Sequence, residues 1–452
     1  MLQLASAVLL LSAPPAKAAD SLVAFVNVTV IPMDRERTLP RQTVVVRGDR
    51  IEAMGPSDRV KVPAGSVKVD GRGKFLIPGL AEMHAHIPGG ETPDSVVERT
   101  LFLYVSGGIT TIRGMLGHPR HLDLRARAAR NELLSPTIYT SGPSLNGSSV
   151  PTPGAAARIV AEQKAAGYDF LKIHPGIAGE VFDTLAATAR RVGIRFAGHV
   201  PLEVGLARAL ETGYATIDHL DGYVEAMVRE RSPVKATESE FFGLNLGEYL
   251  DESKLPELVE ATRNAQVWNV PTQMLLENLM PGETVEALER RPEMRYIPPG
   301  SLPKWAETKN SLLKKTGSSV ESARRVMQVR GKLIKGLHAG GAGLLLGSDA
   351  PQIYNVPGFS IHRELAALVA AGLTPYQALE TGTRNVAVFF GTLPTSGTIG
   401  VGKRADLVLL DANPLIDVGN TTRRAGVMLR GRWLPKVEIE KRLALVAKSV
   451  GN

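Results

Sequence analysis

Short apolar runs rich in β-formers alternate with stretches of helical periodicity from residue 75 to about residue 394, which argues for parallel β/α construction. The runs cover 75–86, 110–115, 137–141, 170–174, 195–200, 215–220, 267–275 and 343–349. Helical patterns occupy 154–166, 180–192, 202–211 and 319–339 among the stretches between them. Eight such units match an α/β fold of the closed (β/α)8 type, the TIM barrel, with insertions. In that architecture functional residues gather where the C-terminal ends of the strands meet. The longest insertion, 221–267, follows the sixth run on that side, and the Pro-rich loop 296–303 lies near the same mouth.

The two ends of the chain have a different texture. Residues 22–74 read as short strands and turns, among them Val23-Ala24-Phe25-Val26 and Thr43-Val44-Val45-Val46 followed by Gly48-Asp49. Similar segments return at 397–399, 405–411 and 425–433, before a helical pattern over 437–450. The expectation is a small β-sandwich built from both ends. The chain then divides into a signal peptide (1–19), the N-terminal part of the sandwich (20–74), the barrel (75–394), and the C-terminal part with a terminal helix (395–452). Residues 2–12 form an apolar stretch too short to span a bilayer, followed by the small-x-small sequence Ala16-Lys17-Ala18. This pattern predicts cleavage and a periplasmic or secreted protein, although Met1-Leu2-Gln3-Leu4 lacks the usual basic residue; the alternative is a disordered N-terminal tail. No later segment resembles a transmembrane helix, so no stable membrane insertion is expected after cleavage.

Composition narrows the chemistry. The 53 basic and 45 acidic side chains are interspersed, so the net charge of +8 reads as a mixed surface and not as a nucleic-acid-binding face. With no cysteine in the chain, thiolate chemistry and disulfides are excluded, and any metal must be held by imidazole, carboxylate or a modified lysine.

Met83-His84-Ala85-His86 closes the first apolar run, and in an extended strand His84 and His86 share one face. Lys172, His199, His219 and Asp349 close or adjoin the ends of the fourth, fifth, sixth and eighth runs. In a barrel those ends converge on one mouth. Taken singly, Lys172 reads as an ion-paired lysine and His199 and His219 as hydrogen-bonded structural imidazoles. Asp349, ending a buried strand, requires a partner.

These segments together resemble the amidohydrolase superfamily. The resemblance rests on Pro78-Gly79-Leu80-Ala81-Glu82-Met83-His84-Ala85-His86, Asp169-Phe170-Leu171-Lys172-Ile173, Gly198-His199-Val200, Ile217-Asp218-His219 and Gly347-Ser348-Asp349-Ala350. Leu373-Thr374-Pro375, Thr383-Arg384-Asn385 and the run from Gly397 to Leu407 support it. The likeness is to the branch with a binuclear site bridged by a carboxylated lysine, which includes imidazolonepropionase-like, prolidase-like and ochratoxin-amidase-like enzymes. It implies two divalent ions, Zn2+ by preference, with His84, His86 and Asp349 on one, His199 and His219 on the other, and CO2-carboxylated Lys172 between them. It further implies a metal-bridging hydroxide attacking a small-molecule amide, peptide-like or N-acyl, in a dipeptidase- or carboxypeptidase-like reaction. Asp349, Lys172 and His219 are the expected catalytic residues, with Asp349 as general base and then acid. The resemblance allows a homo-oligomer without fixing the number of subunits.

Weaker substrate candidates are His174 and Tyr223, each of which also reads as structural or packing, and Gln273 and Asn278, pocket candidates near the seventh strand. His118, His121, His338 and His362 have no consistent strand-end placement and read as structural. The segment Thr140-Ser141-Gly142-Pro143-Ser144 lacks the Gly/His-rich sequence typical of the dipeptidase members, which counts against recognition of a free α-carboxylate. A lactone or phosphoester hydrolase, or a cyclic-imide hydrolase or deaminase, is the alternative on the same site. His199-Val200-Pro201 lacks the Glu that related deaminases place after this histidine. A non-catalytic binding barrel is disfavoured because all six ligand positions are filled.

Overall fold

The computed structural model describes residues 21–450, so the expected export segment lies outside the described residues. Five strands open the chain: β1 (Leu22–Val30), β2 (Leu39–Arg47), β3 (Arg50–Pro56), β4 (Val67–Asp70) and β5 (Phe75–Pro78). Seven follow in β/α alternation: β6 (Leu80–Ala85), β7 (Ile109–Gly114), β8 (Thr137–Thr140), β9 (Phe170–Ile173), β10 (Arg195–Gly198), β11 (Thr216–Asp218) and β12 (Trp268–Val270). The last three are β13 (Leu407–Leu410), β14 (Arg424–Leu429) and β15 (Arg432–Pro435), before a terminal helix, Lys436–Val450. Among the described residues no helix is long and apolar enough to cross a membrane.

Both chain ends enter one eight-stranded sheet, ordered β15-β14-β13-β5-β1-β2-β3 with β4 also on β1. The junction is β5, antiparallel to β13 from Leu407 opposite Pro78 to Leu410 opposite Phe75. The sequence reads 75–86 as one strand, but it is two. Pro78 has no N–H for a ladder. Gly79 passes so close to β7 that a Cβ there would lie 2.2 Å from Thr110 Oγ1. The chain therefore leaves one sheet at Pro78 and enters the next at Leu80.

The β/α part contains two parallel sheets, β6-β7-β8 and β12-β11-β10-β9. Ser141 bridges Phe170 in parallel, and Asp169 N–H donates to Thr140 O (3.0 Å), which joins β8 to β9. On the far side, Leu344 bridges Asn269 and Ala350 bridges Ala85, both parallel, while Met83 N–H donates to Leu346 O (2.8 Å). The expected eighth strand thus makes bridges to both neighbours without a continuous ladder; Gly347 passes beside His84, and Asp349 takes a left-handed φ of 64°. The seventh strand ends at Val270, short of residue 275, because Pro271 cannot donate and Thr272 is left-handed (φ 46°). Helix Gln273–Leu279 starts there.

Surrounding helices bury one face each. In Gly179–Val192, Val181, Phe182, Leu185, Ala186 and Ala189 are buried, Glu180 lies in the first turn, and Arg190 and Arg191 in the last. That charge placement complements the helix dipole at both ends. Every residue of β6 and β9 is buried, as expected for strands covered on both faces. Between β11 and β12 the long insertion folds into short turns before helix Leu255–Asn264.

Candidate metal centre

His84 is the penultimate residue of β6, and His86 follows the strand, with ring centroids 5.5 Å apart. Asp349 Oδ1 lies 2.6 Å from His86 Nε2 and 3.6 Å from His84 Nε2. One ligand atom from each of these three residues falls within 4.8 Å of the other two. Lys172 on β9 is fully buried, with Nζ 3.4 Å from His84 Nε2. The His219 ring lies 4.6 Å from that of His84 and 4.5 Å from that of His199. The structure thus brings all six sequence-derived positions to one place, although His199 and His219 lie beside the tight trio and not within it.

Fixed partners orient the rings. Asp221 Oδ2 lies 2.7 Å from His199 Nδ1, and Thr272 Oγ1 lies 2.8 Å from His219 Nδ1. The latter nitrogen is also 3.8 Å from Asp349 Oδ2. Asp218 Oδ2 sits 3.0 Å from His84 Nδ1, but without hydrogen-bond alignment. The hydrogen bonds at Nδ1 leave Nε2 of His199 and His219 as the ring nitrogens available to a ligand. The backbone pays a local cost: His219 (φ 64°), Asp349 (φ 64°) and Thr272 (φ 46°) are all left-handed without being glycine.

Two buried carboxylates support the cluster from below. Asp218 accepts from Arg113 Nη2 (3.0 Å) and Thr216 Oγ1 (2.7 Å). Arg113 also donates to Met83 O (2.7 Å), so one guanidinium ties β7 to β6 and β11. Glu82 accepts from Ser348 N–H (2.7 Å), Ser348 Oγ (2.6 Å) and His84 N–H (3.2 Å), fixing β6 against the segment that carries Asp349. Tyr104 OH donates to Ala350 O (2.5 Å). Arg330 donates to His219 O (2.5 Å), Pro271 O (2.8 Å) and Gln273 Oε1 (3.1 Å).

Burial dominates the electrostatics. It drives His84 and His219 well below the ordinary imidazole value, leaving neutral rings with lone pairs for a cation. Burial also lowers Lys172, against the opposing pull of Asp218 and Asp349, and so favours the neutral amine that CO2 requires. For Asp349 burial pushes upward, but His84, His86 and Lys172 together hold the carboxyl well below the usual range. Neutral imidazoles beside an ionised carboxylate are a donor set that suits Zn2+ and similar divalent ions.

The weaker candidates divide. The His174 ring lies 5.0 Å from that of His199, and its Nδ1 lies 2.5 Å from Ser144 Oγ, so it borders the cluster. Gln273 follows Thr272 and is held by Arg330. Tyr223 is fully buried and its OH lies 2.7 Å from Thr262 Oγ1 on helix Leu255–Asn264. Asn278 is fully buried, donates to Asn355 Oδ1 (2.9 Å) and accepts from Arg291 (2.9 Å), which ties helix Gln273–Leu279 to the segments that carry Asn355 and Arg291. His362 is likewise structural, with Nδ1 2.9 Å from Thr421 Oγ1 and Nε2 2.9 Å from Arg424 Nη1.

Sequence reasoning missed Asp218, Asp221, Thr272, Arg113 and Glu82. A signal existed for Asp218, since it ends a buried run as Asp349 does and needs a partner for the same reason.

The model of the amidohydrolase family matches residues 75–434. No curated protein matches the sequence. Among solved structures, a bottromycin amidohydrolase superposes with a TM-score of 0.70 at 23% identity, covering 96% of this chain and 92% of that one. A Xaa-Pro dipeptidase with bound methionine in its active site gives 0.66 at 17% identity over 92% and 100% of the two chains. Ochratoxinase from A. niger gives 0.65 at 16% identity over 92% and 96%. At these identities the likeness shows the fold.

Proposed function

The chain belongs to the amidohydrolase family, and from that premise we propose that it is a metal-dependent hydrolase of amide bonds in peptide-like or N-acyl substrates. The observation that carries the reading is the trio His84, His86 and Asp349, whose ligand atoms lie within 4.8 Å of one another, with buried Lys172 Nζ 3.4 Å from His84 Nε2. The names of the structural neighbours, a dipeptidase, an amidohydrolase and an ochratoxinase, support amides as the substrate class. The two parallel sheets and the bridging segment 343–350 read as arcs of one (β/α)8 barrel, which accounts for the strand ends meeting at one mouth.

In this reading His84, His86 and Asp349 hold one divalent ion, His199 and His219 a second, and Lys172 as its carbamate supplies the shared anionic ligand. Such ions, zinc by preference, polarise a carbonyl and lower the pKa of water towards neutrality. The protein's own contribution is positional and protonic. Asp221 and Thr272 hold the His199 and His219 rings in orientation. Asp349, ionised at neutral pH, accepts the proton of the attacking water and returns it to the leaving nitrogen. An uncharged lysine is needed for carboxylation, and burial of Lys172 favours that form.

The test combines metal analysis with assays of dipeptides, N-acyl amino acids, lactones and nucleobases. The wild type should carry close to two divalent ions per chain and cleave amides, and the His84→Ala/His86→Ala double variant should lose activity while staying folded. Lys172→Arg should lose metal and turnover together, because a guanidinium stays cationic and does not take up CO2. Wild-type metal content and turnover in Lys172→Arg would remove the carbamate bridge. Absence of bound transition metal from protein purified without chelators would remove the metal reading.

A further inference from the structure

The long insertion after β11 places one aromatic side chain over the imidazoles. The Phe242 ring centroid lies 5.3 Å from that of His219 and 6.2 Å from that of His199. Phe241 stands edge-on to it at 4.5 Å and is 40% exposed. Phe242 is half-buried and holds φ 56° and ψ 28°, a left-handed conformation uncommon for a bulky residue. Such strain persists only where the surroundings over-determine it, and it concentrates at functional sites.

The surroundings here do so. Gly243 continues the turn at φ 74°, and a Cβ on it would lie 2.5 Å from Val224 Cγ1, so only glycine fits. Before the turn, Ser239 Oγ donates to half-buried Glu225 Oε1 (2.5 Å), and Asn245 Nδ2 donates to Glu238 O (2.8 Å). After it, Ser322 Oγ donates to Leu244 O (2.7 Å) and accepts from Gly247 N–H (2.9 Å), fixing the insertion to helix Val320–Ala339. Leu244 and Leu246 are fully buried behind the turn. A turn tied on both sides, with a strained aromatic at its tip, is a built wall.

We infer that Phe242 is a specificity-determining residue of this site, forming an apolar wall that favours amides with an aromatic or bulky apolar group beside the scissile bond. The inference rests on the amide-hydrolase reading. A flat ring beside the metal-ligand imidazoles excludes water and offers apolar area to a substrate side chain, and it offers a carboxylate or ammonium no hydrogen bond.

Calorimetry on metal-loaded protein with N-acetylphenylalanine and N-acetylglycine reads the wall directly, and turnover of the two reads the parent function. Wild type should bind the phenylalanine compound at least tenfold more tightly, and Phe242→Ala should reduce that ratio to near one. Phe242→Leu, which keeps apolar bulk, should fall between them, and metal content should be the same in all three. Where both compounds are cleaved, the change should appear in KM more than in kcat. Wild type with no preference between the compounds, or Phe242→Ala with an unchanged ratio, overturns the inference. Wild type that binds selectively while cleaving no amide overturns the parent reading and leaves the apolar wall in place.

Discussion

Asp218→Asn is the substitution that most directly tests how the cluster is supported. Asp218 has no exposed surface, and its carboxylate accepts from Arg113 Nη2 at 3.0 and 3.3 Å and from Thr216 Oγ1 at 2.7 Å. Arg113 is equally buried, and its Nε and Nη1 are committed to Met83 O and Thr216 Oγ1. The amide keeps the volume but leaves a guanidinium in the interior without a counter-charge. Removing one member of a buried ion pair costs about 3–5 kcal/mol, most of it the stranded charge and not the worth of the bond. Burial raises the Asp218 carboxyl, but Arg113 and Lys172 outweigh it and hold it below its ordinary value. The wild-type contribution is therefore present above the unfolded carboxylate pKa and lost as pH falls through the lower folded value. Urea unfolding at pH 7 should show the full loss in Asp218→Asn. Arg113→Met/Asp218→Leu, which removes both charges, should recover most of it. Because Asp218 also faces His84 Nδ1, both variants should bind zinc about 10–100-fold more weakly, the usual cost of losing a ligand's supporting partner. An Asp218→Asn protein within about 1 kcal/mol of wild type, with unchanged zinc affinity, would refute the stranded-charge argument.

Two further outcomes follow from the geometry. Gly198 holds φ 123°, and a Cβ there would lie 2.5 Å from Ile173 O and 2.9 Å from Lys172 Cδ; Gly198→Ala should destabilise by about 2–4 kcal/mol in denaturant unfolding and reduce metal content by displacing Lys172. Burial pushes the Glu364 carboxyl from 4.5 up to about 8, so folding takes up a proton between those values. Its stability contribution is full below about pH 4.5 and falls as pH rises towards about 8, by an amount on the order of a few kcal/mol. Glu364→Gln should flatten that part of the stability profile, and an unchanged slope would show that Glu364 is ionised in the folded protein.

What the sequence made legible follows from what is local. Strands β6 to β12 appear as apolar runs because each is at least half buried, and the six candidate ligand positions stand out because polar residues interrupt those runs at one end. What it hid depends on distant partners. Arg113 and Asp218 are 105 residues apart, and Glu82 and Ser348 are 266 apart, so no window of sequence contains either pair. The break at Gly79 was equally hidden, since the approach of Thr110 imposes it and apolar periodicity runs straight through Pro78. Tyr223 follows the same logic. Its position four residues after His219 leaves substrate contact and packing both open, and the partner of its hydroxyl, Thr262, comes from the distant helix Leu255–Asn264.

The residues that break local backbone preference explain why this site needs so large a frame. His219, Thr272, Asp349 and Phe242 adopt left-handed conformations that their own side chains disfavour. Three of them carry a candidate ligand, or the group that orients one, just beyond a parallel strand or within the bridging segment. The fourth caps the imidazoles from the insertion. A strand end followed by a left-handed residue turns the next side chain across the mouth instead of continuing outward, which is how short strands aim several side chains at one point. Each such turn costs on the order of 1–3 kcal/mol, and only a rigid, fully buried scaffold holds four of them at once. The Glu82, Arg113 and Arg330 networks sit directly behind these turns, tying backbone carbonyls and N–H groups of the ligand segments to one another. Local strain at the mouth and buried polar ties beneath it are therefore two parts of one device, and substitutions in the ties should disturb metal binding even where they touch no ligand.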